Sequence, residues 1–303
     1  MKINVIGMPI FYGCDNPGVD QGPTVMRESG TIGLLHKPGN EVVDLGDIDM
    51  VYASQNEKYK DDEHAKFLSY VLDASEKLAK KVDSSISEGS FPLTIGGDHS
   101  LGLGSVAGAS KACGDLDDFA LIWFDAHADI NTIQTSPSGN VHGMPIAGGI
   151  GIDDKLSHVY FDGIKVRPEN VHIIAARDID EGEVKIIADN NIDVYDMKKV
   201  REIGVQKTVK EVLEKIKAKG IKNIHLSYDI DGIDPEFIEG TGTRVPGGFN
   251  MEEAQYVIKE IIGSGLVKSM DLVEFNPRLE KGITLAHCLE LTDTIAKSIA
   301  KLH

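Results

Sequence analysis

Cysteine is scarce in this sequence of 303 residues, which contains three in all. Cys14, Cys113 and Cys288 lie far apart, and none belongs to a CxxC motif. This usage argues against a disulfide framework and against a zinc site made of thiolates. It favours a reducing compartment, so we expect a cytoplasmic protein.

Long hydrophobic runs are also absent. The longest, Phe119–Phe124, has six residues, whereas a helix needs about 20 apolar residues to cross a bilayer. The first ten residues contain Gly7 and Pro9 and lack the apolar core and cleavage site of a signal peptide. The sequence therefore predicts no membrane partner.

Basic residues are outnumbered by acidic ones. The chain has 31 Lys and Arg against 48 Asp and Glu, a net charge of −17. A nucleic-acid partner is not expected, because a phosphate backbone requires a basic surface. The acidic excess has two interpretations: it promotes solubility, or some of the carboxylates surround metal ions or a cationic ligand.

Short apolar runs alternate with helical patterns along the chain. Strands are predicted at residues 3–6, 91–95, 119–124, 171–176, 223–227 and 269–273, and helices at 63–86, 208–219, 251–262 and 284–301. This alternation is typical of an α/β fold, and we predict a single doubly wound, mostly parallel sheet with helices on both faces. No segment has the composition of a linker, so we expect one domain over residues 1–303.

Polar clusters follow five of the predicted strands. Their first residues are Gly96, Asp125, Arg177, Asp229 and Glu274. The carboxyl ends of parallel strands lie at one edge of a sheet, so we expect these clusters to converge on one site. For the single aspartates Asp98, Asp178 and Asp234, a helix cap or a turn is the simpler interpretation.

Acidic residues and histidines occur at every second position in two segments, a spacing that would place several potential metal ligands on one side of the chain. In an extended segment residues i, i+2 and i+4 point the same way, so the triplet 125–129 and the pair 229–231 can each converge. With one histidine from the first cluster, the candidate ligands are His99, Asp125, His127, Asp129, Asp229 and Asp231. Carboxylates and imidazoles without thiolates favour two Mn²⁺ ions over zinc, and such a pair can hold a hydroxide for hydrolysis. The alternative to a metal site is that these residues are unrelated helix caps, and that alternative must account for all six of them.

Two further residues complete the predicted chemistry. His142 lies in a glycine-flanked loop and is a candidate to carry a proton to a leaving group, with a surface loop histidine as the alternative. Glu274 falls outside the alternating pattern and can accept hydrogen bonds from a planar cation such as guanidinium.

These segments together resemble the ureohydrolase family, and within it the arginases. The matching segments are GGDHS at 96–100, DAHADIN at 125–131, SGNVHG at 138–143, SYDIDGIDP at 227–235, TGTRVPGG at 241–248 and EFNP at 274–277. GVDQGPTVMR at 18–27 is similar to the opening of the family, so the resemblance covers essentially the whole chain. Two residues depart from the pattern: Ser136 stands where Thr is common, and Arg244 follows Thr243 where Pro is common.

The resemblance implies an arginase/deacetylase-type α/β fold. It also implies an enzyme that hydrolyses L-arginine to L-ornithine and urea with a hydroxide bridging two manganese ions. It implies one metal on His99, Asp125, Asp129 and Asp229, and the other on Asp125, His127, Asp229 and Asp231. The implied catalytic residues are His142, Glu274 and Asp129. The implied substrate-binding residues are Asn131, Ser136, Ser138, Asn140, Asp180, Glu183, Thr243 and Glu274. A homotrimer or homohexamer is implied as well.

The 131–140 loop supports the substrate prediction. Its neutral hydrogen-bond donors suit an α-carboxylate and Asp180 suits an α-ammonium, so arginine is expected to be preferred over agmatine, which lacks the carboxylate. The alternatives are an agmatinase or another guanidino-acid hydrolase, and a non-catalytic binding protein of the same fold. A nucleotide-binding module, suggested by Gly96, Gly97, Gly102 and Gly104, is disfavoured because their spacing matches no phosphate-binding motif and close helix–sheet packing accounts for them.

Overall fold

The apolar runs of the sequence form one β-sheet in the computed structural model, which describes residues 1–302. The strands are β1 (Lys2–Met8), β2 (Glu41–Asp47), β3 (Phe91–Gly96), β4 (Phe119–Phe124), β5 (Val171–Ile174), β6 (Asp193–Tyr195), β7 (Asn223–Asp229) and β8 (Val267–Val273). Their order is β2-β1-β3-β8-β7-β4-β5-β6, and every neighbouring pair is parallel. The predicted parallel α/β sheet is thus confirmed.

Helices cover both faces of this sheet. Residues 1–302 contain α1 (Gly22–Glu28), α2 (Thr31–Leu35), α3 (Leu68–Ser87), α4 (Gly102–Cys113), α5 (Pro145–Gly149), α6 (Glu181–Asn190), α7 (Met197–Ile203), α8 (Val205–Ala218), α9 (Met251–Gly263) and α10 (Thr284–Ala300). The side chains of β4 alternate between two cores: Ile122 and Phe124 pack with α7–α10, whereas Leu121 and Trp123 pack with α3–α5. Burial on both faces explains why this strand is uniformly apolar.

The six predicted strands are all present, but the apolar pattern does not predict β2 and β6. These two strands lie at the edges of the sheet. Apart from the buried Tyr195, their side chains are exposed or half-exposed, and an edge strand of this kind carries no continuous apolar run. The strand predicted over 171–176 ends earlier, at Ile174, because Ala175 adopts φ +86°.

The helix predicted over 63–86 begins late, at Leu68. Phe67 adopts φ +49°, which a continuous helix cannot contain. The backbone amide of Lys66 donates to the carbonyl of Gly139 at 2.9 Å, so the chain before α3 is attached to a distant loop. The other three predicted helices, now α8, α9 and α10, have bounds within three residues of the prediction.

The glycines near β3 allow close packing. A Cβ on Gly97 would lie 2.3 Å from the carbonyl oxygen of Ile10, and one on Gly104 would lie 2.4 Å from that of Ser75 in α3. A Cβ on Gly102, in α4, would lie 2.6 Å from the Trp123 ring of β4. Close packing therefore accounts for these glycines, between helix and sheet at Gly102, between two helices at Gly104, and against the segment after β1 at Gly97. Within residues 1–302, no helix has the length and hydropathy needed to span a membrane.

Candidate active site

The polar clusters converge at the carboxyl edge of the sheet, as the parallel topology requires. A cavity of about 260 Å³ opens at this edge. The predicted metal ligands that line it are His99, His127, Asp129 and Asp229. The predicted substrate residues that line it are Asn131, Ser136, Ser138, Asn140, Asp180, Glu183 and Thr243.

A first group of potential ligands surrounds the imidazole of His99. Its Nδ1 lies 2.8 Å from Asp125 Oδ2, and 3.2 Å from both Asp129 Oδ2 and Asp229 Oδ2. These residues come from the ends of three different strands, β3, β4 and β7. Three carboxylate oxygens therefore lie within 3.2 Å of His99 Nδ1, and the ligand atoms of His99, Asp125 and Asp229 are close enough to one another to hold one cation.

A second group lies beside the first and shares a residue with it. His127 Nδ1 is 3.1 Å from Asp125 Oδ1 and 3.2 Å from Asp231 Oδ2. Asp125 thus offers one oxygen to each group, which is the arrangement of a carboxylate bridging two cations. Both groups contain only imidazole nitrogens and carboxylate oxygens, a donor set that fits Mn²⁺.

The protein brings these carboxylates together at an electrostatic cost. Burial, with the neighbouring charges of Asp231 and Asp125, raises the pKa of Asp229 well above its usual range. Burial and the charge of Asp125 likewise raise the pKa of Asp129 to about 7. Burial lowers the pKa of His99, but hydrogen bonds to the carboxylates outweigh it and raise that pKa. The site therefore favours positive charge, which divalent cations supply.

His142 and Glu274 form a pair at the side of the cavity. His142 Nδ1 is 3.2 Å from Glu274 Oε1, which also accepts the backbone amide of His99 at 2.8 Å. Burial lowers the pKa of His142, but the hydrogen bond and the charge of Glu274 raise it to about 9. Glu274 is 3% exposed and adopts φ +69°, and it lines a smaller adjoining cavity with His142 and Thr243.

Hydrogen bonds within the 136–140 loop fix which of its polar atoms remain free. Ser136 Oγ accepts the amide of Gly139 at 3.0 Å, and Ser138 Oγ accepts that of Asn140 at 3.2 Å. Each hydroxyl keeps its single proton for donation. Asn140 Oδ1 accepts Lys66 Nζ at 2.7 Å, which leaves the NH₂ group as its free end. This wall of the cavity offers hydrogen-bond donors.

The wall formed by the start of α6 is acidic. Asp180 and Glu183 form a capping box, in which Glu183 Oε2 accepts the amide of Asp180 at 2.9 Å and Oε1 accepts that of Ile130 at 3.0 Å. Burial raises the pKa of Glu183 to about 7, against the opposing effect of those amides. Asn131 Nδ2 donates to Asp180 Oδ2 at 2.8 Å. Glu183 therefore supports the wall through its backbone contacts, while Asp180 presents its carboxylate to the cavity.

Comparison with known proteins identifies the family of this site. The model of the Arginase family matches residues 1–297. The chain is 42% identical over 296 residues to the arginase of Bacillus subtilis (strain 168), covering 97% of each chain. The chain belongs to the arginase family.

The solved structures of relatives agree with this family membership. The crystal structure of Bacillus subtilis arginase superimposes with a TM-score of 0.88 at 40% identity, over 97% of this chain and 98% of that one. An Entamoeba histolytica arginase in complex with L-ornithine gives 0.89 at 33% identity, over 97% of each chain.

In this arginase-family chain, a buried network that the sequence does not predict supports His99. His99 Nε2 lies 2.8 Å from Ser227 Oγ, and the Ser227 hydroxyl donates to Asp271 Oδ2 at 3.1 Å. A hydroxyl has one proton, so Ser227 must accept a hydrogen bond from His99 Nε2. A neutral His99 then has its lone pair on Nδ1, facing the carboxylates. Ser227 precedes Asp229 by two residues in β7, and this alternation is a signal that could have identified it.

Trp123 contacts the first group of ligands in addition to packing in the core against α3–α5. Its ring stacks on His99 with centroids 3.9 Å apart, and its Nε1 donates to Asp125 Oδ2 at 3.1 Å. Trp123 is fully buried. It therefore holds both an imidazole and the shared carboxylate in place.

Arg177 forms hydrogen bonds to both the segment after β7 and the segment 241–248. Its guanidinium donates to the carbonyls of Asp231 and Val245, each at 2.7 Å. Thr243 Oγ1 in that segment donates to Asp231 Oδ2 at 3.0 Å. Thr243 thus lines the cavity and contacts a potential metal ligand, whereas Arg244 beside it is exposed.

The three single aspartates divide between structural and site positions. Asp98 Oδ2 accepts the amide of Gly13 at 2.8 Å, and Asp234 Oδ2 accepts that of Gly247 at 2.6 Å. The structural interpretation holds for both. Asp178 instead lines the cavity, and its position at the carboxyl end of β5 is the reason.

Proposed function

We propose that this chain hydrolyses L-arginine to L-ornithine and urea with two Mn²⁺ ions, as a single domain over residues 1–303. The proposal rests mainly on one cavity that is lined by residues of the two ligand groups, by the hydrogen-bond donors of residues 136–140 and by the acidic side chains of Asp180 and Glu183. The relatives named arginase, one of them solved with L-ornithine, support the choice of substrate.

The proposed ligands of one metal are His99, Asp125, Asp129 and Asp229, and those of the other are Asp125, His127, Asp229 and Asp231. The distances around His99 place Asp125, Asp129 and Asp229 in the first group, and those around His127 place Asp125 and Asp231 in the second. The assignment of Asp229 to the second metal as well rests on the family resemblance. When bound, the two cations supply a water activated at neutral pH for attack on the guanidinium carbon.

The residues around the metals bind and orient the guanidinium group. Glu274 Oε1 is held by His142 and by the His99 amide, so the proposed acceptor for the guanidinium N–H groups is Oε2. Asp129, which lines the cavity and lies 3.2 Å from His99 Nδ1, is the third proposed catalytic residue.

His142 is the proposed proton carrier. Because its pKa is raised to about 9, it holds a proton at neutral pH. Hydrolysis releases ornithine as an amine, and the nitrogen must take up a proton as its bond to carbon breaks. His142 Nδ1 is engaged by Glu274, so Nε2 is the position available for this transfer.

The two walls of the cavity suit the two ends of an amino acid. The hydroxyls of Ser136 and Ser138 and the NH₂ group of Asn140 would donate to an α-carboxylate, with Asn131 and Thr243 completing the wall. Asp180 would accept from the α-ammonium. Its carboxylate is held by Asn131 Nδ2 and its backbone amide by Glu183. Agmatine leaves the donors unpaired, and a site built to bind an absent group discriminates strongly against such an analogue.

The test is urea release by protein loaded with Mn²⁺, offered L-arginine and agmatine separately, with and without a chelator. We expect chelator-sensitive release with a higher kcat/KM for arginine. Release from agmatine alone would contradict the assignment of the donor wall, and absence of release from both would contradict the function.

The assembly and location of the protein are part of the proposal. A homotrimer or homohexamer in the cytoplasm agrees with the family resemblance. Light scattering of the purified protein tests the assembly, and a monomer at micromolar concentration would contradict it.

A further inference from the structure

Lys66 attaches the turn before α3 to the donor wall of the cavity. Its backbone amide donates to the carbonyl of Gly139 at 2.9 Å, and its Nζ donates to Asn140 Oδ1 at 2.7 Å. The side chain is 14% exposed, so these contacts are largely shielded from water. Two consecutive residues of the loop are therefore held by one lysine.

The contact to Asn140 decides which end of its amide faces the cavity. A carboxamide has an acceptor end and a donor end, and a half-turn about its terminal bond exchanges them. With Oδ1 held by Lys66 Nζ, the NH₂ group is the free end, beside the hydroxyls of Ser136 and Ser138. Without the lysine, rotation can present the oxygen, which would repel a carboxylate.

We propose that Lys66 is a positioning residue for substrate specificity: by holding the Asn140 amide, it selects guanidino compounds that carry a carboxylate over those that lack one. This inference rests on the proposed function, because it assigns the donor wall to a substrate carboxylate. It adds a residue from outside the cavity to the determinants of that preference.

A direct electrostatic attraction between Lys66 and the substrate is the competing explanation. Asp15 Oδ2 lies 3.6 Å from Lys66 Nζ and also pairs with Lys58, so the charge of Lys66 is partly compensated. Lys58 carries the same charge in the same ion-pair cluster, and its ammonium pairs with Asp15. Lys58→Met is therefore a matched control for the loss of charge.

The first experiment compares Lys66→Met, Lys66→Arg and Lys58→Met in the Mn²⁺-loaded protein. For Lys66→Met we expect KM for L-arginine to rise about tenfold, the equivalent of one net hydrogen bond, with kcat and the agmatine parameters unchanged. Lys66→Arg, which keeps a donor and the charge, should restore most of the arginine KM. Lys58→Met should leave both substrates unaffected. An unchanged arginine KM in Lys66→Met, or an equal rise in Lys58→Met, overturns the proposal.

A double-mutant cycle with Asn140→Ala tests whether Lys66 acts through Asn140. If it does, Lys66→Met adds nothing to the arginine KM of Asn140→Ala. Additive effects of the two substitutions overturn the positioning role.

Calorimetric titration separates this inference from the proposed function. We expect Lys66→Met to weaken L-ornithine binding about tenfold and to leave putrescine binding unchanged. Wild-type protein that releases no urea refutes the function, and the titration then decides the inference alone. The inference about Lys66 is overturned if wild type and Lys66→Met bind ornithine with equal affinity, or if neither binds ornithine. If Lys66→Met does not fold, the same measurements are made with Lys66→Leu, which also lacks a hydrogen-bond donor, and are judged by the same criteria.

Discussion

Ser227→Ala tests the internal support of the metal site. In the folded protein Ser227 accepts a hydrogen bond from His99 Nε2 and donates to Asp271 Oδ2. All three side chains are at most 1% exposed, so water cannot replace the lost hydroxyl easily. The substitution leaves His99 without the partner that fixes its proton on Nε2.

The expected magnitude follows from these contacts. An unpaired buried polar group costs about 1–3 kcal/mol, so the free energy of unfolding should fall by that amount. Removing the group that orients a ligating histidine weakens metal binding by about 10–100-fold. We expect both effects in Ser227→Ala, since the tautomer with a free Nδ1 is no longer enforced.

The assay is Mn²⁺ affinity in a metal buffer, measured beside thermal unfolding of the metal-free protein. Ser269→Ala is the matched control: Ser269 Oγ lies 2.7 Å from His225 Nδ1, in the same network but without contact to His99. The control should lose stability and keep its Mn²⁺ affinity. Equal Mn²⁺ affinities in the two variants would refute the proposed role of Ser227.

Three further predictions concern the catalytic groups. Asp125→Ala should abolish turnover and lower the content of both metals, because Asp125 belongs to both ligand groups; elemental analysis with one metal retained at full occupancy would count against its bridging role. His142→Ala should keep its metal and lose about 10²–10⁴-fold in kcat, the usual contribution of a proton-transfer group; an unchanged kcat would remove His142 from the mechanism. The pKa of His142 is raised to about 9, so its proton is present at neutral pH and is lost as pH rises through that value. Glu274→Gln removes the strongest of the effects that raise this pKa, while the charges of Asp129 and Asp98 remain, and should shift the alkaline limb of the kcat profile to lower pH; an unshifted limb would assign it to another group.

The central strands and the ligand groups could be predicted because their signals are local. A strand buried on both faces, such as β4, is a continuous apolar run. The alternating pattern identified the ligands of 125–129 and 229–231, but neither segment is extended as that pattern assumed. Residues 125–127 bend, Asp129 adopts φ +47°, and Ile230–Gly232 forms a 3-10 helix, so the ligands converge through these turns. The edge strands β2 and β6 escaped prediction because half-exposed strands carry no such run. Lys66 and Asn140 lie 74 positions apart, and Ser227 and Asp271 lie 44 apart. Such pairs are set by tertiary packing, which no local pattern encodes.

Anomalous diffraction at the manganese absorption edge, from crystals loaded with Mn²⁺, tests the two-metal site directly. We predict two peaks at the carboxyl edge of the sheet, one beside His99 and the other beside His127, with Asp125 between them. A single peak at this edge, or manganese bound elsewhere, would contradict the proposed two-metal site.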